Sequence, residues 1–246
     1  MSILITGGTK GIGLAIGKAF APDAGDVFLN YYRDDEAAAR AARDVSAAGS
    51  RAHIIKADTG TPEGCASLIA TVKQTTAHLD QVVHCALDAY ASPTLTADPT
   101  RFTRAVTTNG TSLLFLVQAA LPILSRGSTI FFLTSRGGRI VIANYAAIGI
   151  AKAMAESLIR YLAVELAPKG IRINAIAPAI VETDSVRALF GAKTTDLVRD
   201  AAGNNPTGRG VTDADYSNLM RWLASPEAEF IQGQVIFVNG GANLSA

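Results

Sequence analysis

The chain is 246 residues long and 49% hydrophobic, with 22 basic and 21 acidic residues and a net charge of +1. That length suits one large α/β domain. The near-balanced charge, with no basic run or charged tail, speaks against nucleic acid or an anionic membrane as a partner. Cys65 and Cys85 make neither a disulfide framework nor a metal-ligand set, so no metal is expected.

In chain order, seven apolar runs read as strands: "SILIT", "DVFLNYY", "RAHIIKAD", "QVVHCA", "STIFFLTS", "IRINAIAP" and "QVIFVNGG". They are apolar nearly throughout, as strands covered on both faces must be. The first begins at Ser2, which leaves no room for a cleavable leader and points to the cytoplasm. Helical patterns lie between the strands, over Ile12–Ala21, Glu36–Ala48, Pro62–His78, Pro99–Leu124 and Ala146–Ala167, with a last one from about Asp213 to Ala224. The apolar stretch "SLLFLVQAALPIL" holds Gln118 and Pro122 and falls short of the roughly 20 residues of a membrane span. Alternating strands and helices predict a single α/β domain over 1–246: a doubly wound, Rossmann-type parallel sheet of seven strands with helices on both faces. Thr183–Pro206 is polar, holds "GAK" and "GNNP", and reads as a mobile lid on the substrate side.

The turn "TGGTKGIG" follows the first strand and opens the first helix. Gly7, Gly11 and Gly13 allow a tight turn and a close backbone approach to a pyrophosphate, and the helix N-terminus supplies free N–H groups. The second strand ends "LNYYR". Tyr31 stands near the place of the acid that usually holds a ribose diol, with Arg33 after it and Lys10 inside the glycine turn. Two cations there favour a ribose 2′-phosphate, hence NADPH, although Asp34 and Asp35 are close by.

These features, with "KADTG", Asn109 in "TTNGTSLLF", Ser135, Lys152, "INAIAPAIVETD" and "GQVIFVNGG", resemble the short-chain dehydrogenase/reductase superfamily over nearly the whole chain. The resemblance implies a cofactor site formed by Gly7, Thr9, Lys10, Gly11, Ile12, Gly13, Tyr31, Arg33, Asp58, Thr59, Ala86, Lys152, Pro178, Val181 and Thr183. Asp58 would meet the adenine, and Pro178 to Thr183 the nicotinamide carboxamide. Lys152 would bind the nicotinamide ribose and lower the pKa of a catalytic tyrosine. Asn109 would kink its helix and hold a water that relays protons to Lys152. The resemblance also implies a homotetramer packed through the helices predicted at 99–124 and 146–167.

Three departures stand out. The family's "NNAG" reads "HCAL" from His84, where a packed histidine outweighs a catalytic one. Its "PG" reads Pro178-Ala179. Its tyrosine, commonly four residues before the lysine, is replaced by Ile148, and Tyr145 stands seven before Lys152. Seven residues turn a helix through about 700° with about 10.5 Å of rise, so Tyr145 is expected on the lysine's face, displaced along it. Ketone reduction develops charge on an oxygen bonded to the hydride acceptor. Conjugate reduction of an enoyl thioester develops it two carbons further away. A displaced donor suits the second, with Ile148 facing any ketone oxygen. The Y-x6-K spacing also resembles the NADPH-using enoyl-acyl carrier protein reductases of this superfamily.

The expected function is reduction of an enoyl thioester, on acyl carrier protein or coenzyme A, in a fatty acid or polyketide pathway. Tyr145 and Lys152 would be catalytic, and Ser135 either a carbonyl contact or a plain loop serine. A carbonyl reductase and a non-catalytic NADPH-binding regulator are the alternatives.

Overall fold

The computed structural model describes residues 1–242. Its seven strands are β1 (Ser2–Thr6), β2 (Asp26–Tyr31), β3 (Arg51–Lys56), β4 (Gln81–His84), β5 (Thr129–Leu133), β6 (Arg172–Pro178) and β7 (Val235–Val238). They form one sheet in the order β3-β2-β1-β4-β5-β6-β7, with every neighbouring pair parallel. The helices are α1 (Gly11–Phe20), α2 (Asp35–Ala47), α3 (Pro62–Val72), α4 (Pro99–Val106), α5 (Ser112–Ala120), α6 (Ala146–Leu166), α7 (Asp184–Phe190), α8 (Thr194–Gly203) and α9 (Asp213–Ala224).

Side chains alternate across each strand, so the sheet has two cores. Leu4 and Phe28 point to the face covered by α3, α5 and α6, where Leu68, Leu113, Leu116 and Ile159 are buried. Ile3, Ile5 and Leu29 point to the other face, against Ile16 and Phe20 of α1, Val45 of α2, and Tyr216 and Met220 of α9. The buried Arg172 guanidinium donates to the carbonyls of Leu223, Ala224 and Ser225, satisfying the C-terminal end of α9.

Strand order reverses between β1 and β4, which opens a crevice at their carboxyl ends. The Thr6 hydroxyl accepts from the backbone N–H groups of Cys85 (3.1 Å) and Ala86 (3.2 Å), holding the two strand ends together at its floor.

Three elements differ from the sequence reading. The third helix ends at Val72, six residues early, where Gln74-Thr75-Thr76 turns the chain. The helix predicted at 99–124 contains a π-turn at Thr107–Thr111. The stretch Pro99–Ile123 is long and apolar enough by composition to cross a membrane, yet Leu113, Leu116, Val117 and Ala120 pack into the core. Finally, the predicted lid is two short helices. Thr183 caps α7 by accepting from the Val186 N–H (3.3 Å), Gly191 (φ 56°) ends it, and Thr194 begins α8.

Candidate active site

A cavity of about 1750 Å³ runs along the carboxyl ends of the strands, from the β2–α2 turn to α7 and α8. Gly7 (φ 62°) and Gly11 (φ 48°) take the left-handed conformation. A Cβ on Gly7 would stand 2.9 Å from the Ala86 Cα, and one on Gly11 would stand 3.0 Å from Thr183. α1 has no side-chain cap and no acid in its first turn, whereas Asp34, Thr61 and Asp98 cap α2, α3 and α4. An open, glycine-cradled helix start facing the crevice fits a dinucleotide pyrophosphate. Thr9, Lys10, Gly11, Ile12 and Gly7 line the cavity. Gly13 does not, which corrects its assignment as a cofactor contact. A Cβ there would stand 2.4 Å from the Gly7 carbonyl oxygen, so its bareness lets α1 pack on the turn.

At the β2 end, Tyr31, Tyr32, Arg33, Asp34, Asp58 and Thr59 line the cavity with Lys10. The acids are already engaged. Asp34 accepts from the Ala37 N–H (2.9 Å) and pairs with Lys10. Asp35 accepts from Tyr31 (2.8 Å) and pairs with Lys56. Asp58 accepts from Arg104 (3.0 Å) and from the Gly60 N–H (3.0 Å). The Arg33 and Arg104 guanidiniums lie 4.7 and 5.6 Å from the Tyr32 ring centroid, making a cationic, aromatic wall. Arg104 and Tyr32 were missed in the sequence. Arg104 is 46 residues from Asp58, and no local pattern marks it.

Lys152 is buried, and its Nζ donates to the Leu133 carbonyl (2.7 Å) and lies 4.4 Å from the Phe132 ring centroid. Burial pulls its pKa down to about 8, opposed by the thiol of Cys85 and the carboxylate of Glu156.

Tyr145 lines the cavity but is not on the helix; it is the N-cap residue of α6 (φ −105°, ψ 7°), after Asn144 in the left-handed region (φ 61°). Its ring packs on Gly137, where a Cβ would stand 2.6 Å from Tyr145 Cε1. Burial raises the tyrosine's pKa, with the Ser135 hydroxyl acting against it. That differs from the lowering by Lys152 that the resemblance implied, and it keeps the phenol a hydrogen-bond donor at neutral pH. Ile148 is fully buried and does not line the cavity, so the expected approach of a ketone oxygen to it is corrected as well.

Ser135 lines the cavity and caps the Arg136–Gly138 turn by accepting from the Gly137 N–H (3.1 Å). Asn109 is buried in the π-turn and does not line the cavity. Its Oδ1 accepts from the Asp88 N–H (2.7 Å) and its Nδ2 donates to the Asp88 carbonyl (2.9 Å). The kink is present, and the side chain holds the chain after β4. Ala86, Pro178, Val181 and Thr183 all line the cavity.

His84 is buried beneath the floor. Ser112 spends its hydroxyl proton on the Thr108 carbonyl (2.6 Å), so His84 Nε2, 2.6 Å from Ser112 Oγ, carries the ring proton. Nδ1 is buried with no side-chain partner, and burial with nearby Lys152 drives the imidazole pKa down to about 3. This is a neutral packing histidine.

Such a crevice, with its open helix start and a tyrosine and lysine beside it, defines a dinucleotide-dependent oxidoreductase. The family model described as Enoyl-(Acyl carrier protein) reductase matches residues 7–243. The chain belongs to this enoyl reductase-like branch of the short-chain dehydrogenases/reductases, whose members bind a nicotinamide cofactor. It is 29% identical over 243 residues to 1-cyclohexenylcarbonyl-CoA reductase of Streptomyces collinus, covering 99% of this chain and 87% of that one. It is 34% identical over 183 residues to the NADH-type enoyl-acyl carrier protein reductase FabI of Synechocystis, covering 72% of this chain and 70% of that one. A short-chain dehydrogenase of Burkholderia cenocepacia in complex with NADP superposes with a TM-score of 0.88 at 27% identity, covering 98% of this chain and 97% of that one.

Proposed function

We propose that the protein is an NADPH-dependent reductase of the conjugated double bond of an enoyl thioester, carried on acyl carrier protein or coenzyme A. The observation that carries this reading is the position of Tyr145. It stands in the cavity wall seven residues before Lys152, while the residue four before the lysine is buried in the core. The relation to enoyl reductases of both carrier types supports it.

When bound, the reduced nicotinamide supplies a hydride. Lys152, held by the Leu133 carbonyl, anchors the ribose beside it. Tyr145 donates a hydrogen bond to the thioester oxygen, where charge builds two carbons from the reduced carbon. Lys10, Arg33 and Arg104 supply positive charge for the 2′-phosphate. α6, with Tyr161 and Val164 exposed on its outer face, and the α4–α5 pair form the faces through which we expect a cytoplasmic homotetramer to assemble. The nearness of Ser135 to Tyr145 favours a second reading, reduction of a ketone with both hydroxyls on its oxygen.

The test is NADPH oxidation with crotonyl and acetoacetyl thioesters side by side. We expect turnover of crotonyl and little of acetoacetyl, and loss of crotonyl turnover by about a hundredfold to a thousandfold in Tyr145→Phe. Reduction of acetoacetyl alone would replace this reading with the second. Tight NADPH binding without turnover of any enoyl or keto substrate would make the protein a binder rather than a catalyst.

A further inference from the structure

Glu156 has a place that neither the cofactor site nor the acyl site accounts for. It is a carboxylate 5% exposed, on the face of α6 that meets the sheet, one turn beyond Lys152. Its Oε1 accepts from the Thr134 hydroxyl (2.7 Å) and its Oε2 from Arg139 Nε (3.2 Å). The Arg139 guanidinium lies 4.8 Å from the Phe237 ring centroid on β7.

Thr134 and Arg139 are the two ends of the short run that carries Ser135. Residue 133, just before this run, is held by Lys152. α6 therefore grips the loop at three points with two charged side chains. Gly138 allows the close approach: a Cβ there would stand 3.1 Å from the Ala153 nitrogen and 3.3 Å from Glu156 Oε1. Between the gripped ends, Gly137 supports the Tyr145 ring.

A buried carboxylate is costly to keep, and an apolar side chain would pack this helix face more cheaply. We propose that Glu156 is a positioning residue for the reaction, its carboxylate clamping both ends of the Ser135 loop to α6 and balancing the ammonium of Lys152. Only its effect on turnover rests on the reductase reading above; its effect on Lys152 is readable from cofactor binding alone.

The charged and titratable groups around the pair are few. His84 and Cys85 approach Lys152 from the end of β4, and His84 is neutral. Tyr145 stands at the start of α6. Arg139 faces Glu156 from the loop, and Arg160, one turn on, donates to the Glu156 backbone carbonyl (3.0 Å). Lys152 must be charged to hold the ribose, so cofactor binding should weaken as the pH rises past its pKa of about 8.

The experiment is NADPH and NADH binding by fluorescence between about pH 6 and 10, with turnover alongside. In Glu156→Gln the amide oxygen still accepts from Thr134 but the negative charge is gone. Its alkaline midpoint should move down by about half a unit or more, and kcat should fall about tenfold with little change in acyl KM. Arg139→Gln leaves Glu156 charged without its counter-ion, so the midpoint should move up. A purely structural role lowers the melting temperature of both variants and moves neither midpoint; that result, or displacement of both in one direction, overturns the proposal. If Glu156→Gln does not fold, Arg139→Gln decides: an unmoved or lowered midpoint overturns it.

Discussion

At the glycine-rich end of the cavity the walls are backbone. At the far end they are side chains of α7 and α8. Around Gly7 and Gly13 the chain passes so close to itself that a single methyl group has no room. Around α7 and α8 the opposite holds: no residue of α7 is buried, Thr194 alone is buried in α8, and Leu189, Phe190 and Leu197 line the cavity loosely. The first region recognises what every dinucleotide shares, a pyrophosphate. On the proposed reading, the second would meet whatever differs between acyl groups. An enzyme family that keeps one cofactor and changes substrates needs this division of materials.

The largest effect is expected where backbone makes the wall. Gly7→Val puts a branched side chain at φ 62° and within 2.9 Å of the Ala86 Cα. Left-handed strain costs about 1–2 kcal/mol and overpacking about 1–3 kcal/mol. Dinucleotide binding should disappear, and the melting temperature should drop markedly; titration by fluorescence and a thermal melt check both. A variant that still binds NADPH would show that the turn yields as easily as α7 does.

The floor beneath that turn gives the next effect. His84 is neutral with a folded pKa of about 3, while in the unfolded chain it titrates near the ordinary histidine value of 6.5. Between those values the unfolded chain binds a proton that the folded one refuses, so this contribution to stability falls as the pH drops below 6.5, by about 1.4 kcal/mol per unit. His84→Phe keeps a ring against Phe132 and removes that proton. Its stability should therefore fall less steeply between pH 6.5 and about 4 than that of the parent, whatever its baseline, as urea unfolding at several pH values would measure.

How much of this was legible in the sequence follows the same division. "TGGTKGIG" could be read because glycine identity reports backbone crowding directly, and the central strands β1, β2, β4, β5 and β6 could be read because burial on both faces leaves apolar runs. The lid reads as a loop because "GAK" and "GNNP" are turn signals; they are the stops of two helices too short to show an apolar period. Helical spacing from Lys152 puts Tyr145 on the lysine's face, but it does not fix the conformation of the residue just before the helix. Asn144 adopts a left-handed φ that the local pattern did not announce, and the helix starts one residue later. Arg104 on Asp58, and Arg139 on Glu156, are meetings made by the sheet and invisible in one dimension.

Between backbone and lid lies the cationic wall at the β2 end, with an intermediate effect. Lys10 is half-exposed and shared between Asp34 and, at 3.8 Å, Asp184 of α7. A 2′-phosphate must compete with those carboxylates, and a charge-assisted hydrogen bond contributes about 1.5–3 kcal/mol. Lys10→Ala should raise the NADPH KM about tenfold and leave the NADH KM nearly unchanged. Equal losses for both cofactors would assign Lys10 to the pyrophosphate, and a parent enzyme that prefers NADH would remove the case for a 2′-phosphate site.

The smallest effect belongs to the lid. Leu189 lies in α7, half-buried, with its side chain on the cavity. Truncation to alanine removes apolar surface that an acyl chain would cover, and a few methyl and methylene groups half-removed from water are worth about 1 kcal/mol. Because α7 buries nothing in either core, the loss should not reach the fold. Leu189→Ala should therefore raise KM for crotonyl thioester about fivefold, with an unchanged melting temperature and unchanged NADPH binding. The effect should grow with the acyl chain, since a longer chain covers more of α7 and α8. If NADPH binding weakens instead, α7 is part of the cofactor site, tied to it through Thr183 against Gly11 and Asp184 near Lys10, and the division between the two ends of the cavity is less complete than their packing indicates.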